Sequence, residues 1–302
     1  MVLAILLVAV AFVVHREYKE KRPQNAGGPL YKRMPMKPTL RFIAFGDSGD
    51  GKRPQMMVAK AMEKRCQEYA TDGIIHVCDV FYQTGAESVD DPRWQSRVMK
   101  PYGGPCLGDV PIYSVFGNHD YSGNADAEIE YSRQNPRWVK PYRFYERTFG
   151  NLIQLVAFDS WLPDMCFDSQ RCAIDFLRKV LDTPSDTRWR VVFGYYPMAS
   201  ASERSAGARG WLLRRLMCAE NIDLYIAGHM HHLEYREIDG CMPTQVISGG
   251  GGGTLYDVNN ADGLARFAES RFGFVELEVT RSRLTIRFFG IQGEELFLAE
   301  KT

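Results

Sequence analysis

The sequence predicts an α/β domain of two packed mixed β-sheets with helices outside them, and three observations carry that expectation. Short apolar runs bounded by Gly, Pro and Asp alternate with helically periodic stretches from Leu40 to about Ala227. From Gln245 the pattern changes: FGFVELEV, RLTIRFFG and ELFLAE follow one another through short turns, as antiparallel strands do. At 302 residues and 45% hydrophobic content the chain can bury a sizeable core.

In chain order, the first element is the apolar run Val2–Val14. It is shorter than the roughly 20 residues of a bilayer span but matches the roughly 7 to 15 of a signal-peptide h-region. The small-x-small triplet Ala9-Val10-Ala11 lies inside the run rather than after it, and Arg16, Lys19, Lys21 and Arg22 follow. Those charges tend to hold their side in the cytoplasm. The expectation is nonetheless an exported protein, secreted, periplasmic or membrane-anchored, with residues 1–14 as signal or anchor and membrane attachment through residues 2–14. Residues 15–38 mix charge with Pro23, Gly27, Gly28, Pro29, Pro35 and Pro38 and read as a tether, so the domain is placed at 39–302.

Within it the pattern gives strand Leu40–Phe45, a helix from Pro54 to about Tyr69, strand Ile74–Val77, a helix near Trp94–Met99 and strand Ile112–Phe116. The second half repeats the scheme with strand Leu152–Phe158, helix Ala173–Leu181, strand Arg190–Phe193, helix Trp211–Cys218 and strand Leu224–Ala227. The glycine run 249–253 lacks the Lys-Ser/Thr ending of a P-loop and reads as a mobile loop bordering the substrate.

Lys plus Arg (37) balance Asp plus Glu (37), so no global field recruits nucleic acid, and a charged substrate must be gathered locally. Seven cysteines leave at least one thiol free. Cys166 and Cys172 bracket a short polar stretch, and a disulfide between them is expected in an oxidising compartment.

Polar residues able to hold a metal recur just past apolar strands: Asp47 after RFIAFG, Asp79 after GIIHVC, Asn118 after PIYSVFG and His229 after LYIAG. Ligands of α/β sheets bind at the carboxyl ends of strands, so these positions can converge. Carboxylate and amide oxygens with imidazole nitrogens suit hard and borderline cations, and a shared carboxylate can bridge two ions that clamp one phosphate. A lone Asp after a strand is more often a helix cap, and each tetrapeptide alone is weak. GDSG (46–49), DVFY (79–82), GNHD (117–120) and GHMH (228–231) in that order are together a much stronger signal.

The series resembles the motifs of the tartrate-resistant (purple) acid phosphatases, within the calcineurin-like metallophosphoesterases. The resemblance extends through YSRQNPRWVKPY, VVFGYYPMAS and AGHMHHLEY, from about Leu40 to the C-terminus. It implies a four-layer metallophosphoesterase sandwich. It also implies a dinuclear site in which Asp47, Tyr82 and His231 hold Fe(III), Asn118 and His229 hold a divalent ion (Fe, Zn or Mn), and Asp79 bridges the two. His119 would face the phosphate as general acid. The implied reaction is in-line attack on a phosphate ester, of a small molecule or a phosphoprotein, by metal-bound hydroxide.

The chain departs from that pattern at Tyr195, where the family has a histidine ligand of the divalent ion. His232 is the one spare histidine near the motifs, expected to point away as a satisfied surface or hairpin residue. Cys78 and Val80 replace the usual glycine and asparagine beside Asp79, and Arg204 stands where mammalian members carry a substrate-facing histidine. An arginine there can still bind phosphate bidentately. Three readings stay open, in this order: an active phosphomonoesterase with Tyr195 as phenolate ligand or with water in its place; a hydrolase of altered substrate or metal, such as a phosphodiesterase or a manganese enzyme; and a catalytically weak phosphate-binding or interaction protein.

Overall fold

The computed structural model describes residues 29–302 apart from 162–168, 205, 219–220 and 261, with backbone alone for 169–172. Two sheets form the molecule. The first has seven strands in the order β15-β14-β13-β2-β3-β4-β5, where β2 is Leu40–Phe45, β3 Gly73–His76, β4 Ile112–Ser114, β5 Trp138–Val139, β13 Gly273–Val279, β14 Leu284–Gly290 and β15 Glu295–Lys301. Strands β2 to β5 run parallel, and β13 joins them to the C-terminal meander by pairing antiparallel with both β2 and β14.

The second sheet has eight strands in the order β1-β6-β7-β8-β9-β11-β10-β12. They are β1 Tyr31–Met34, β6 Tyr145–Phe149, β7 Ile153–Ala157, β8 Trp189–Phe193, β9 Leu224–Ala227, β10 Leu233–Glu237, β11 Thr244–Ser248 and β12 Ala265–Glu269. Strands β7, β8, β9 and β11 are parallel neighbours, whereas β10 is antiparallel to both β11 and β12. Both sheets are therefore mixed, as the alternating first part and hairpin-rich last part of the sequence predict.

One buried cluster draws side chains from both sheets. Phe42 of β2 meets Phe149 of β6 edge to face with ring centroids 5.1 Å apart, and the Trp189 Nε1 of β8 donates to the Thr280 carbonyl just past β13. Helix α1, Arg53–Glu68, opens with a proline in its first turn, where the missing N–H costs nothing. Its Val58, Met62 and Cys66 recur every fourth residue on the buried face, and Cys66 is bonded to Cys106.

Residues 31–34, assigned from sequence to the tether, are an edge strand of the second sheet, so the folded unit starts earlier than position 39. Prolines 35 and 38 obscured it, and the exposed Lys32 and Arg33 suit an edge that must resist further pairing. Strand β6 was not anticipated because Glu146 and Arg147 interrupt its apolar pattern. Arg147 is nonetheless buried, its guanidinium bonded to the carbonyls of Pro29 and Leu30. The GNHD motif opens a short helix α2, Asn118–Tyr121, followed by α3, Ala125–Gln134.

The glycine run 249–253 is not a free loop. All five residues are buried, Gly251 N donates to Gly46 O at 3.1 Å and Gly253 N to Asp47 O at 2.7 Å, so the run packs against the loop carrying Asp47. Cys218 is bonded to Cys241, and Cys78 is a free, buried thiol. The expected Cys166–Cys172 pair and the apolar segment 2–14 lie outside the described residues. Among the described residues no helix is long and apolar enough to cross a membrane.

Candidate metal centre

Asp47, Asp79, Asn118 and His229 each stand just beyond the carboxyl end of a strand, β2, β3, β4 and β9 respectively. Asp47, Asp79 and His229 have φ of +55°, +52° and +66°, a left-handed conformation that costs a non-glycine residue energy and persists only where its surroundings enforce it. The enforcing contacts are on the backbone: Asp47 N donates to Cys78 O at 2.7 Å and Gly49 N to Asp79 O at 3.1 Å. Two motif glycines admit the carboxylates. A Cβ on Gly117 would lie 2.2 Å from Asp79 Oδ1, and one on Gly228 would lie 2.7 Å from Asp47 Oδ2.

The loops bring Asp47, Asp79 and His231 together, with one ligating atom from each within 4.8 Å of the others. His231 Nε2 is 3.4 Å from Asp47 Oδ1, and the Tyr82 hydroxyl is 3.0 Å from His231 Nε2 and 3.3 Å from Asp47 Oδ1. His231 Nδ1 lies 2.6 Å from the Thr254 carbonyl. A carbonyl only accepts, so Nδ1 carries the proton and the Nε2 lone pair points at the carboxylates, the arrangement of a metal-binding imidazole.

The electrostatics match a place for a cation. Burial, reinforced by Asp120 and Asp47, pushes the Asp79 carboxyl well above its ordinary range, and burial raises Asp47 as well. Burial opposes charge on His231, but the hydrogen bond to Asp47 and its charge carry the imidazole above its usual pKa. Burial and the two aspartates push Tyr82 well up. Crowded carboxylates that hold protons for want of a positive partner give them up when a cation arrives. Four hard oxygen and nitrogen donors, including a phenol, fit Fe(III) or a similar ion.

The place expected for a second ion is different. The Tyr195 hydroxyl, 1% exposed as a residue, lies 2.5 Å from Asp79 Oδ2, 2.9 Å from Asn118 Oδ1, 3.1 Å from His229 Nδ1 and 3.5 Å from Asp47 Oδ1. Asp79, Asn118 and His229 converge, but on a phenol oxygen. Burial followed by Asp79 and Asp47 pushes this phenol well above its ordinary pKa, and burial lowers His229 to about 3. The donors of this half do not fit a second ion as they stand.

At the mouth, His119 Nδ1 is 2.6 Å from the Gln83 carbonyl, the His119 backbone N–H donates to Asp79 Oδ1 at 3.1 Å, and Nε2 of the ring is 4.0 Å from Asp79 Oδ2. Arg204 is exposed, its guanidinium 3.9 Å from the Tyr256 ring, which stacks on His231 at 4.2 Å. Arg209, which sequence reasoning missed, mirrors it 4.5 Å from the Tyr196 ring, itself 4.5 Å from His229. The short helix after residue 206 hid Arg209 among other surface arginines.

His232 is buried away from the cluster, its Nε2 2.8 Å from Glu234 Oε2. Cys78 is fully buried with its Sγ against Val115 O and Asp120 Oδ2. Asp120 is a second residue that sequence reasoning left without a role, though the final letter of GNHD pointed to it. It accepts from Gly117 N at 2.8 Å, Asp79 N at 3.2 Å and Val80 N at 3.1 Å.

Known proteins resemble the chain in sequence and in fold. The family described as calcineurin-like phosphoesterase matches residues 40–233. The chain is 29% identical over 299 residues to tartrate-resistant acid phosphatase type 5 of Oryctolagus cuniculus, covering 86% of this chain and 90% of that one. It is 27% identical over 281 residues to purple acid phosphatase 4 of Arabidopsis thaliana, covering 85% and 82%. Two solved structures share the fold: GAP50, the anchor in the inner membrane complex of Plasmodium (TM-score 0.74, 22% identity, 87% and 88% covered), and purple acid phosphatase PPD1 of yellow lupin (TM-score 0.67, 17% identity, 87% and 53% covered). With a family match over most of its length and acid phosphatases as relatives, the chain belongs to the calcineurin-like phosphoesterases.

Proposed function

We propose that the chain hydrolyses phosphate monoesters in a metal-dependent reaction centred on Asp47, Asp79, Tyr82 and His231. The observation that carries this reading is the convergence of these four groups beside His119. A bound ion would supply Lewis-acid polarisation of a phosphoryl oxygen. The chain's own groups do the rest. Gln83 O holds the His119 Nδ1 proton, which leaves Nε2 to deliver a proton to the leaving oxygen from the imidazolium form. Arg204 and Arg209 gather the anion, each lying behind an aromatic ring that covers a histidine of the centre. The disulfides Cys66–Cys106 and Cys218–Cys241 support export to an oxidising compartment.

The test is turnover of para-nitrophenyl phosphate by iron- or zinc-loaded full-length protein. Chelation should abolish it, and His119→Ala should lower kcat by about 10²- to 10⁴-fold. Turnover that survives chelation and Asp47→Asn would sink the reading.

One observation favours a second reading, a phosphate-binding protein of weak turnover: the Tyr195 hydroxyl among Asp79, Asn118 and His229. The Plasmodium protein of the same fold is described as an anchor in the inner membrane complex. Under this reading inorganic phosphate binds, while esters turn over only weakly with any metal.

A further inference from the structure

We propose that the Tyr195 hydroxyl is the permanent occupant of the second ion's place, so that this chain holds one ion where its dinuclear relatives hold two. The inference rests on the proposed centre at Asp47 and Asp79 and specifies how many ions that centre takes.

The geometry begins with proton counting. A phenol has one proton and two acceptor lone pairs. The contact with Asp79 Oδ2, at 2.5 Å the shortest that the hydroxyl makes, takes the phenol proton. His229 Nδ1 at 3.1 Å then donates to the phenol oxygen, and the Asn118 side chain at 2.9 Å donates as well once its amide is turned to present nitrogen, an assignment that hydrogen bonding decides. All three hydrogen-bonding positions of the hydroxyl are thus filled by the three groups that would otherwise bind the ion.

Space gives the same answer. Protein ligands hold such ions at about 2.0 to 2.2 Å, so an ion shared by Asp79, Asn118 and His229 must stand where the three face one another. The Tyr195 oxygen stands there, within 3.1 Å of each. The ring cannot swing clear without disturbing the core. Tyr195 N is bonded to Ser160 Oγ at 2.9 Å, and its ring packs edge to face on Tyr196 and His229, each at 5.0 Å. Among the described residues the one group of three acidic, histidine or cysteine side chains able to share an ion is Asp47, Asp79 and His231, which excludes His229. Shortening the side chain to an imidazole removes the plug and returns a nitrogen donor at the same position.

The experiment counts ions. Full-length wild type and Tyr195→His are stripped with chelator, dialysed against iron, zinc or manganese, and measured by elemental mass spectrometry against protein concentration. Circular dichroism confirms that the variant is folded. One ion per chain in wild type and two in Tyr195→His is the expected result, with the second dissociation constant at least tenfold lower than any weak second binding in wild type. Two tight ions in wild type overturn the proposal, as does one ion in wild type with still only one in a folded Tyr195→His. No ion in wild type with one in Tyr195→His keeps the plug and removes the Asp47-centred reading; no ion in either overturns both. If the histidine variant does not fold, the wild-type count alone decides between one ion, which supports the proposal, and two, which overturns it.

Discussion

The backbone N–H of Asp79 donates to Oδ2 of Asp120 at 3.2 Å, and the same oxygen accepts from Gly117 at 2.8 Å. One buried carboxylate thereby fixes the end of β3 to the turn that carries Asn118 and His119. Asp120→Ala should release both loops and weaken metal binding about 10- to 100-fold, the range found for groups that orient ligands. Zinc titration by calorimetry measures it. An unchanged dissociation constant in a folded variant would show that the loops hold their shape without Asp120.

The two tyrosines of the site separate by spectroscopy. Tyr82 faces His231 and Asp47, whereas Tyr195 faces Asp79, Asn118 and His229. Iron-loaded protein should absorb in the visible through a phenolate-to-iron transition. Tyr82→Phe should remove the band and Tyr195→Phe should retain it. Loss of the band in Tyr195→Phe instead would make Tyr195 the ligand and reassign the centre.

The arginines at the mouth should act on binding more than on chemistry. Arg204 is exposed and Arg209 half-buried, each with its guanidinium over an aromatic ring. Arg204→Ala and Arg209→Ala should each raise KM for a phosphate monoester by several-fold with kcat little altered. Added salt should shrink the difference, because exposed charges are screened over about 8 Å at physiological ionic strength. A fall in kcat at constant KM would place the residue on the reacting group instead.

Much of this architecture was legible because its signals are local. The strand-end position of Asp47, Asp79, Asn118 and His229 follows from short apolar runs ending in glycine or cysteine, and in the structure all four lie within 3.5 Å of the Tyr195 hydroxyl. What stayed hidden depends on tertiary partners. Strand β1 exists because β6 offers it an edge, and nothing in YKRM declares that edge. The buried Arg147 of β6 is tolerated because the carbonyls of Pro29 and Leu30 satisfy it. The glycine run 249–253 looks mobile in sequence, yet it is the close neighbour that lets the Asp47 loop pack. Tyr195 showed as an irregularity in sequence, but only the fold shows its hydroxyl reaching Asp79, Asn118, His229 and, at 3.5 Å, Asp47.

Support for the Tyr82 and His119 loop should show as a pH-dependent contribution to stability from Asp91. Its Oδ1 accepts from Arg93 N at 2.9 Å, its Oδ2 from Glu87 N at 3.0 Å and from Arg93 Nη2 at 2.6 Å. Arg93 in turn donates to Thr84 O at 2.8 Å and Gly85 O at 2.9 Å, while Gly85 N donates to His119 O at 2.7 Å. Burial raises the Asp91 carboxyl, but the hydrogen bonds from Arg93 and the Glu87 N–H outweigh it and draw the pKa down to about 2. An unfolded aspartate titrates near 3.9, so the folded state favours the ionised form. The resulting stability is present above about pH 4 and is lost as the pH falls through about 2. Asp91→Asn should therefore destabilise metal-free protein by on the order of 1 to 2 kcal/mol at pH 6, measured by denaturant unfolding. The difference from wild type should narrow steadily toward pH 2. A deficit that stays constant from pH 6 to pH 2 would mean that the neutral hydrogen bonds, and not the carboxylate charge, hold the loop beneath His119.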